Sequence, residues 1–117
     1  MTNIELGKLG EDTVCKYFEK QGYFIVDRNF KCKSGEIDII ATDKNELVFT
    51  EVKTRCSKKY GEAREAVDEH KKKHIKKATQ FYIHKYRLDN KFIRFDVVEV
   101  YLKNDKFYIN HVKNTLW

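Results

Sequence analysis

The stretch Gly35–Arg55, GEIDIIATDKNELVFTEVKTR, decides the fold because it reads as two half-apolar runs joined by the polar residues DKNE. Runs of this length predict two strands, and a two-residue loop at Lys44-Asn45 would join them as a hairpin. Asparagine suits such a loop because it tolerates a positive φ. Both runs are nevertheless interrupted by charged residues, where a simple core strand would have apolar ones.

This loop sets a register in which each residue pairs with the one equally distant from the turn. Asp38 then lies opposite Glu51, and Glu36 lies opposite Lys53, with all four on one face. Facing carboxylates repel each other, and a divalent cation that prefers hard oxygen ligands, Mg²⁺ or Mn²⁺, would compensate. Alternatively, Glu36 and Lys53 form a surface ion pair while both acids point into water. A bulge would also break the register.

Outward from the hairpin, hydrophobic periodicity predicts further helices and strands in the order α-β-β-β-α-β-β. This order is typical of an α/β or α+β layered domain. A polar loop is expected over residues 55–62. The predicted elements are a helix over Ile4–Gln21, strands over Tyr23–Val26, Glu36–Thr42 and Leu47–Thr54, a helix over Ala63–Tyr86, and strands over Phe92–Tyr101 and Phe107–Val112.

The composition favours one globular domain over residues 1–117. Apolar residues make up 41% of the chain and aromatics 14%, enough for a packed core, and neither a linker nor an internal repeat divides the sequence. The formal net charge of +6, with a pI near 9.2, favours a polyanionic partner such as nucleic acid.

The cysteines and the N-terminus indicate a cytoplasmic protein with free thiols. Cys15, Cys32 and Cys56 are odd in number and form no CxxC motif, which argues against a disulfide framework and a four-cysteine zinc site. The N-terminus carries acids where a signal peptide needs apolar residues, and no run approaches the roughly 20 apolar residues of a membrane span. No membrane association is expected.

Several motifs together resemble a known family. Asp38, followed after the hairpin by Glu51-Val52-Lys53, resembles the PD-(D/E)xK nuclease pattern, with Ile37 in place of the proline. The wider chain resembles the YraN family of bacterial proteins. The matching segments are GKLGE at 7–11, GYFIVDRNF at 22–30, GEIDII at 35–40, VFTEVKTR at 48–55, YGEAREAV at 60–67, RFDVVEV at 94–100 and the C-terminal INHVKNTLW.

The resemblance implies a restriction-endonuclease-like fold, with a central mixed β-sheet flanked by helices, similar to archaeal Holliday junction resolvases. It also implies that Glu11, on the first helix, joins Asp38, Glu51 and Lys53 at the active centre. Resolvase-like enzymes act as dimers on two-fold junctions, so the resemblance implies a homodimer.

The expected function is metal-dependent hydrolysis of phosphodiester bonds, in DNA rather than RNA, with branched DNA in repair or recombination as a candidate substrate. Asp38 and Glu51 would hold Mg²⁺ or Mn²⁺, and Glu11 would ligate the metal or hold its water. Lys53 would stabilise charge in the transition state, and Glu36 would orient Lys53. The alternative function is a non-catalytic module that binds nucleic acid or a partner and retains a nuclease fold.

The lysine-rich segment HKKKHIKKA, His70–Ala78, predicts either a phosphate-binding surface or a solvated helix face. His70 and His74 have the i, i+4 spacing of metal ligands, but this spacing without a third ligand is weak evidence. Asp96 is expected to have a structural role, and Phe81, Tyr82 and Tyr86 are expected in the core. The expected nucleic-acid contacts are Lys71, Lys72, Lys73, Lys76, Lys77 and Arg55.

Overall fold

The computed structural model describes residues 1–56 and 69–115. Their elements follow the predicted order α-β-β-β-α-β-β. They are α1 (Asn3–Lys20), β1 (Phe24–Cys32), β2 (Gly35–Asp43), β3 (Glu46–Arg55), α2 (Glu69–Lys85), β4 (Phe92–Lys103) and β5 (Lys106–Val112). Residues 57–62 of the predicted loop and residues 63–68 of the predicted second helix lie outside the described ranges.

The five strands form one mixed sheet in the order β1-β2-β3-β4-β5, with β3 and β4 parallel and the other neighbours antiparallel. The β2–β3 hairpin has the predicted register, with Asp43 opposite Glu46 and the ladder continuing to Ile39 opposite Thr50. The left-handed residue of its turn is Lys44, with φ of 56°, and not the asparagine that the sequence favoured. The mixed α and β architecture is therefore confirmed.

The helices cover opposite faces of the sheet, because alternate strand residues pack against different helices. Cluster A joins α1 to one face, and cluster B joins α2 to the other. Cluster A comprises Val14, Cys15, Phe18, Tyr23, Ile39, Ala41, Val48, Val98 and Val100. Cluster B comprises Phe30, Ile37, Ile40, Leu47, Phe49, Ile75, Ala78, Tyr82 and Phe95.

The prediction of core aromatics on the second helix is only partly correct. Tyr82 is buried against Phe30 and Phe49 in edge-to-face contacts. Phe81 and Tyr86, by contrast, are 49% and 48% exposed. Cluster B occupies only one side of α2, which leaves these two rings at its margin.

No helix in the described ranges is long and apolar enough to cross a membrane.

A buried polar network anchors the end of the chain to β4. The Asp96 carboxylate accepts hydrogen bonds from the Arg94 guanidinium at 3.0 Å and from the backbone amide of Asn114 at 3.1 Å, and it lies 2.6 Å from Nε2 of His111. The other nitrogen of His111 contacts the Tyr17 hydroxyl on α1 at 2.9 Å. These contacts agree with the structural role expected for Asp96.

Candidate active site

Asp38 lies at an irregular point of the sheet. Ile37 packs in cluster B, whereas Ile39, two residues later, packs in cluster A. A regular strand would place both side chains on one face, so the alternation breaks at Asp38. On the neighbouring strand β1, Asn29 has φ of 53° and falls between the paired residues on either side of Asp38. This distortion directs Asp38 to a position that a regular strand would not give it.

The pairing of β2 with β3 ends beside Asp38 although both strands continue. Oδ2 of Asp38 accepts a 2.8 Å hydrogen bond from the backbone amide of Val52. The Asp38 carboxylate therefore occupies the Val52 amide, which in a continuous β2–β3 ladder would donate to a backbone carbonyl. The predicted cross-strand pairs of Asp38 with Glu51 and of Glu36 with Lys53 do not form, because the β2–β3 ladder ends at Ile39 and Thr50.

Glu51 is buried and carries two lysine contacts on one oxygen. Its Oε1 lies 3.3 Å from Nζ of Lys53 on the same strand and 2.7 Å from Nζ of Lys71 on α2. Lys53 is thus held by Glu51 and not by Glu36, so the orienting role expected for Glu36 is wrong. Lys71, predicted from the sequence only as a nucleic-acid contact, thus reaches the site through Glu51.

The pKa values of the two lysines are shifted in opposite directions. Burial lowers the pKa of Lys53, and the neighbouring Lys71 lowers it further. Burial alone would also lower the pKa of Lys71, but its hydrogen bond to Glu51 and the charge of that carboxylate give a net rise. Lys71 therefore supplies a firm positive charge to Glu51, while Lys53 is the cation more readily neutralised by alkali.

Glu11 approaches this region because α1 packs unusually close to β3. A Cβ atom added at Gly10 would lie 2.9 Å from Cβ and Cγ2 of Thr54, closer than real contacts allow. The absence of a side chain at Gly10 therefore sets the approach of the helix. From β1, Nη2 of Arg28 lies 3.9 Å from the Glu11 carboxylate, and both Arg28 and the Asn29 side chain act to lower the pKa of Glu11. Burial nevertheless raises the pKa of Glu11.

One open pocket of about 400 Å³ brings together the four residues expected at the active centre and Arg55. The first turns of α1 form its opposite wall. Its lining residues are Asn3, Leu6, Gly7, Glu11, Asp38, Glu51, Val52, Lys53, Thr54 and Arg55. We call this space the acidic pocket. Glu36 instead lines a neighbouring cavity with His70, Lys71 and His74.

The acidic pocket disfavours the ionised form of Asp38. Burial raises the pKa of Asp38 to about 8, and the charge of Glu51 adds to the rise. The Val52 amide opposes this shift, since it stabilises the ionised carboxylate. Without a further cation, burial and the charge of Glu51 therefore favour the protonated form of Asp38. A pocket that holds a carboxyl group in this state is suited to receive positive charge.

The oxygen donors of the acidic pocket fit a hard divalent cation. Carboxylates are the ligands that Mg²⁺ and Mn²⁺ prefer, and Asp38, Glu51 and Glu11 supply them. Over the described residues, no three His, Cys, Asp or Glu side chains already stand close enough to hold an ion. Because two ammonium groups contact Oε1 of Glu51, a cation would have to displace a lysine from that oxygen.

The lysines of α2 differ in their contacts and in their exposure to solvent. Lys71 turns towards the acidic pocket, while Lys72 contacts Glu69 at 3.3 Å. Lys73 and Lys77 are exposed, and Lys76 is half-buried. Lys71 therefore lies on the sheet-facing side of α2, whereas Lys73 and Lys77 lie on the opposite side, which is open to solvent.

Three supporting features escaped the sequence analysis. They are the Val52 amide under Asp38, the Arg28 and Asn29 side chains beside Glu11, and the close approach of Gly10 to Thr54. Each depends on contacts between elements that no local pattern encodes. The asparagine was the only local signal, since it is one of the few residues that tolerate a left-handed conformation within a strand.

Comparison with known proteins reveals relatives along almost the whole chain. The sequence model of a family described as "Uncharacterised protein family UPF0102" matches residues 10–100. A UPF0102 protein of Caldicellulosiruptor saccharolyticus is 45% identical over 97% of this chain and 98% of its own length. One from Caldanaerobacter subterraneus subsp. tengcongensis is 46% identical over 93% and 92%, and one from Clostridium botulinum is 48% identical over 96% and 94%, respectively.

Proposed function

This chain belongs to the uncharacterised protein family UPF0102, which its motifs resembled under the name YraN, and we propose that it is a metal-dependent nuclease that hydrolyses phosphodiester bonds of DNA. The observation that carries the proposal is the acidic pocket, where Glu11, Asp38, Glu51 and Lys53 line one open space. Two close acids beside a lysine are a combination suited to a cation and a phosphate together.

The proposed chemistry divides the roles among the pocket residues. A Mg²⁺ or Mn²⁺ ion held by Asp38 and Glu51 would supply Lewis acidity and lower the pKa of a water molecule. Glu11 either completes the ligand set or accepts a hydrogen bond from that water. Lys53 donates a hydrogen bond to a non-bridging phosphate oxygen, where negative charge increases in the transition state. Arg55, at the end of β3, contacts the adjoining phosphate.

The substrate is proposed to reach the pocket along α2. Lys72, Lys73, Lys76 and Lys77 follow Lys71 on this helix, and lysine contacts with phosphates release counterions from DNA. The net charge of +6 supports a polyanionic substrate. The preference for DNA over RNA, and for branched DNA in repair or recombination, is proposed from the motif resemblance. A homodimer that engages a two-fold junction belongs to the same proposal.

A restriction-endonuclease-like topology is proposed on the same basis. Its support is the order of the described elements together with a mixed sheet whose only described parallel pair is β3 with β4. In this arrangement the acidic pocket forms where β2 and β3 stop pairing, against the first turns of α1.

A second function is favoured by one specific observation. Oε1 of Glu51 already contacts the ammonium groups of Lys53 and Lys71, so its charge is compensated without a metal. A pocket in this state suits a non-catalytic module that binds nucleic acid through its lysines. The two functions differ in one outcome, because only the nuclease changes the covalent state of the DNA.

The test is a cleavage assay on purified protein with four-way-junction, single-stranded and duplex DNA and with RNA, in Mg²⁺ or Mn²⁺ and in EDTA. The nuclease proposal predicts metal-dependent DNA cleavage that disappears in Glu51→Gln and persists in Glu19→Gln. Glu19 is a suitable control because it is an exposed acid on the far part of α1. Nucleic-acid binding without cleavage by the parent protein would replace the nuclease with the non-catalytic module.

A further inference from the structure

Two histidines one turn apart on α2 direct the same ring nitrogen at each other. Nε2 of His70 lies 3.1 Å from Nε2 of His74, and the ring centroids are 4.5 Å apart. Two nitrogens bound to one tetrahedral zinc ion, each about 2.0–2.1 Å from the metal, lie roughly 3.3–3.4 Å apart. The observed spacing is therefore within a small adjustment of that of a metal-bound pair.

The tautomer of His74 is set by a contact from another element. Nδ1 of His74 lies 2.6 Å from the backbone carbonyl oxygen of Ser34, just before β2. A carbonyl can only accept, so Nδ1 must donate, and neutral His74 therefore has a bare lone pair on Nε2. Metal-binding histidines typically have this arrangement, with the second nitrogen donating to a backbone carbonyl or a carboxylate.

The contact between His74 and Ser34 lies where β2 closely approaches α2. A Cβ atom added at Gly35 would lie 3.1 Å from the backbone oxygen of His74, and Gly35 itself has φ of 156°. The strand therefore approaches α2 closely beside the carbonyl that holds His74. His70 is exposed, so its proton can move from Nε2 to Nδ1 through solvent and leave Nε2 bare.

We propose that His70 and His74 form a binding site for a borderline transition-metal cation such as Zn²⁺. Both histidines would bind through Nε2, and water would occupy further positions in the 360 Å³ cavity. The histidines share this cavity with Glu36, with Lys71 and with Glu51, which also lines the acidic pocket. Imidazole is a ligand of Zn²⁺, Cu²⁺ and Ni²⁺, whereas Mg²⁺ and Mn²⁺ prefer carboxylate oxygens. This histidine site and the acidic pocket are thus selective for different cations, and the inference does not depend on nuclease activity.

The experiment is a calorimetric titration of the full chain with Zn²⁺, repeated with Co²⁺ so that the absorption of the bound ion reports its ligands. The parent should bind Zn²⁺ at this site, and His70→Ala and His74→Ala should each weaken that binding at least about tenfold, since losing even a supporting group outside the ligand set has an effect of about 10- to 100-fold. His84→Ala is the matched control, because His84 is an exposed histidine farther along α2. It should bind like the parent.

Asp38→Asn separates this site from the acidic pocket, and it should leave the histidine-dependent Zn²⁺ binding unchanged. Loss of that binding in Asp38→Asn would assign the zinc to the acidic pocket and overturn the proposal. Equal affinity in the parent and in both histidine variants would also overturn it, as would the absence of Zn²⁺ binding by the parent.

Discussion

Nζ of Lys71 lies 2.7 Å from Oε1 of Glu51, so a lysine from α2 compensates an acid on β3. The pair is formed across two elements, and Lys53 shares the same oxygen at 3.3 Å. Any cation that enters the acidic pocket through Glu51 therefore competes with an ammonium group. The first prediction follows from this competition.

Lys71→Gln should strengthen Mn²⁺ binding. Hydrogen bonds to charged groups contribute about 1.5–3 kcal/mol, so removing this competitor should raise the affinity roughly tenfold in a calorimetric titration. Lys72→Gln is the matched control, because Lys72 contacts Glu69 and not Glu51. Equal Mn²⁺ affinities in Lys71→Gln and Lys72→Gln would show that Lys71 does not compete with the cation for Glu51.

Asp38→Asn should stabilise the metal-free protein at pH 8 and abolish its stabilisation by Mn²⁺. The pKa of Asp38 is raised from 3.8 to about 8 in the folded protein, so the folded state holds a proton that the unfolded state releases. Asp38 therefore destabilises the parent progressively between about pH 4 and pH 8, whereas asparagine does not titrate.

Thermal unfolding at pH 4, 6 and 8 measures this effect. The melting temperature of Asp38→Asn should exceed that of the parent by at least about 4 °C at pH 8, which corresponds to roughly 1 kcal/mol in a domain of this size. The difference should shrink towards pH 4 as the parent's aspartate becomes protonated in both states. A variant that is less stable than the parent at pH 8 contradicts the electrostatic account.

Gly10→Ala should destabilise the fold, because its Cβ would lie 2.9 Å from the Cβ of Thr54. Forcing a methyl group into a close contact typically costs about 1–3 kcal/mol. Gly7→Ala is the control, since no atom lies within 4 Å of its added Cβ and alanine favours helix by up to about 1 kcal/mol. Denaturant unfolding should therefore shift in opposite directions for the two variants. A shift of Gly10→Ala towards greater stability would contradict the close packing of α1 against β3.

Replacing Lys72, Lys73, Lys76 and Lys77 by glutamine should weaken DNA binding in a salt-dependent way. Each phosphate contact contributes about −0.9 to the slope of log affinity against log salt on duplex DNA. The variant should therefore have a slope shallower by up to about 3.6, measured by fluorescence anisotropy. The control replaces Lys16 and Lys20, two exposed lysines of α1. A slope that is unchanged in the α2 variant would exclude this helix from the interface.

The hairpin could be predicted from the sequence because neighbouring residues alone determine its strands and its turn. Alternating apolar residues flanked a short polar turn, and every pair from Asp43–Glu46 to Ile39–Thr50 formed as expected. The turn itself needed only one left-handed residue, which Lys44 provides. Extrapolating the same register beyond Ile39 was wrong, because the ladder ends there and the Asp38 side chain accepts a hydrogen bond from the Val52 amide.

The environment of the candidate site could not be predicted from local patterns. Lys71 reaches Glu51 only because α2 packs across β2, and Glu11 reaches the pocket only because Gly10 admits α1 beside Thr54. Helical spacing places Tyr82 within the buried stripe of α2 and Phe81 at its edge, but the width of the stripe depends on the sheet that covers it. Contacts between elements decided each of these outcomes.

The most direct test of the account is the single-turnover rate of DNA cleavage by the parent and by Lys53→Ala, with saturating Mn²⁺. Lys53 is not a proposed metal ligand and shares Oε1 of Glu51 at 3.3 Å, so its removal should not weaken Mn²⁺ binding. Its hydrogen bond should strengthen in the transition state, so the rate should fall roughly a hundredfold or more. Equal rates in the two proteins, or no cleavage by the parent on any DNA with either metal, would contradict the account.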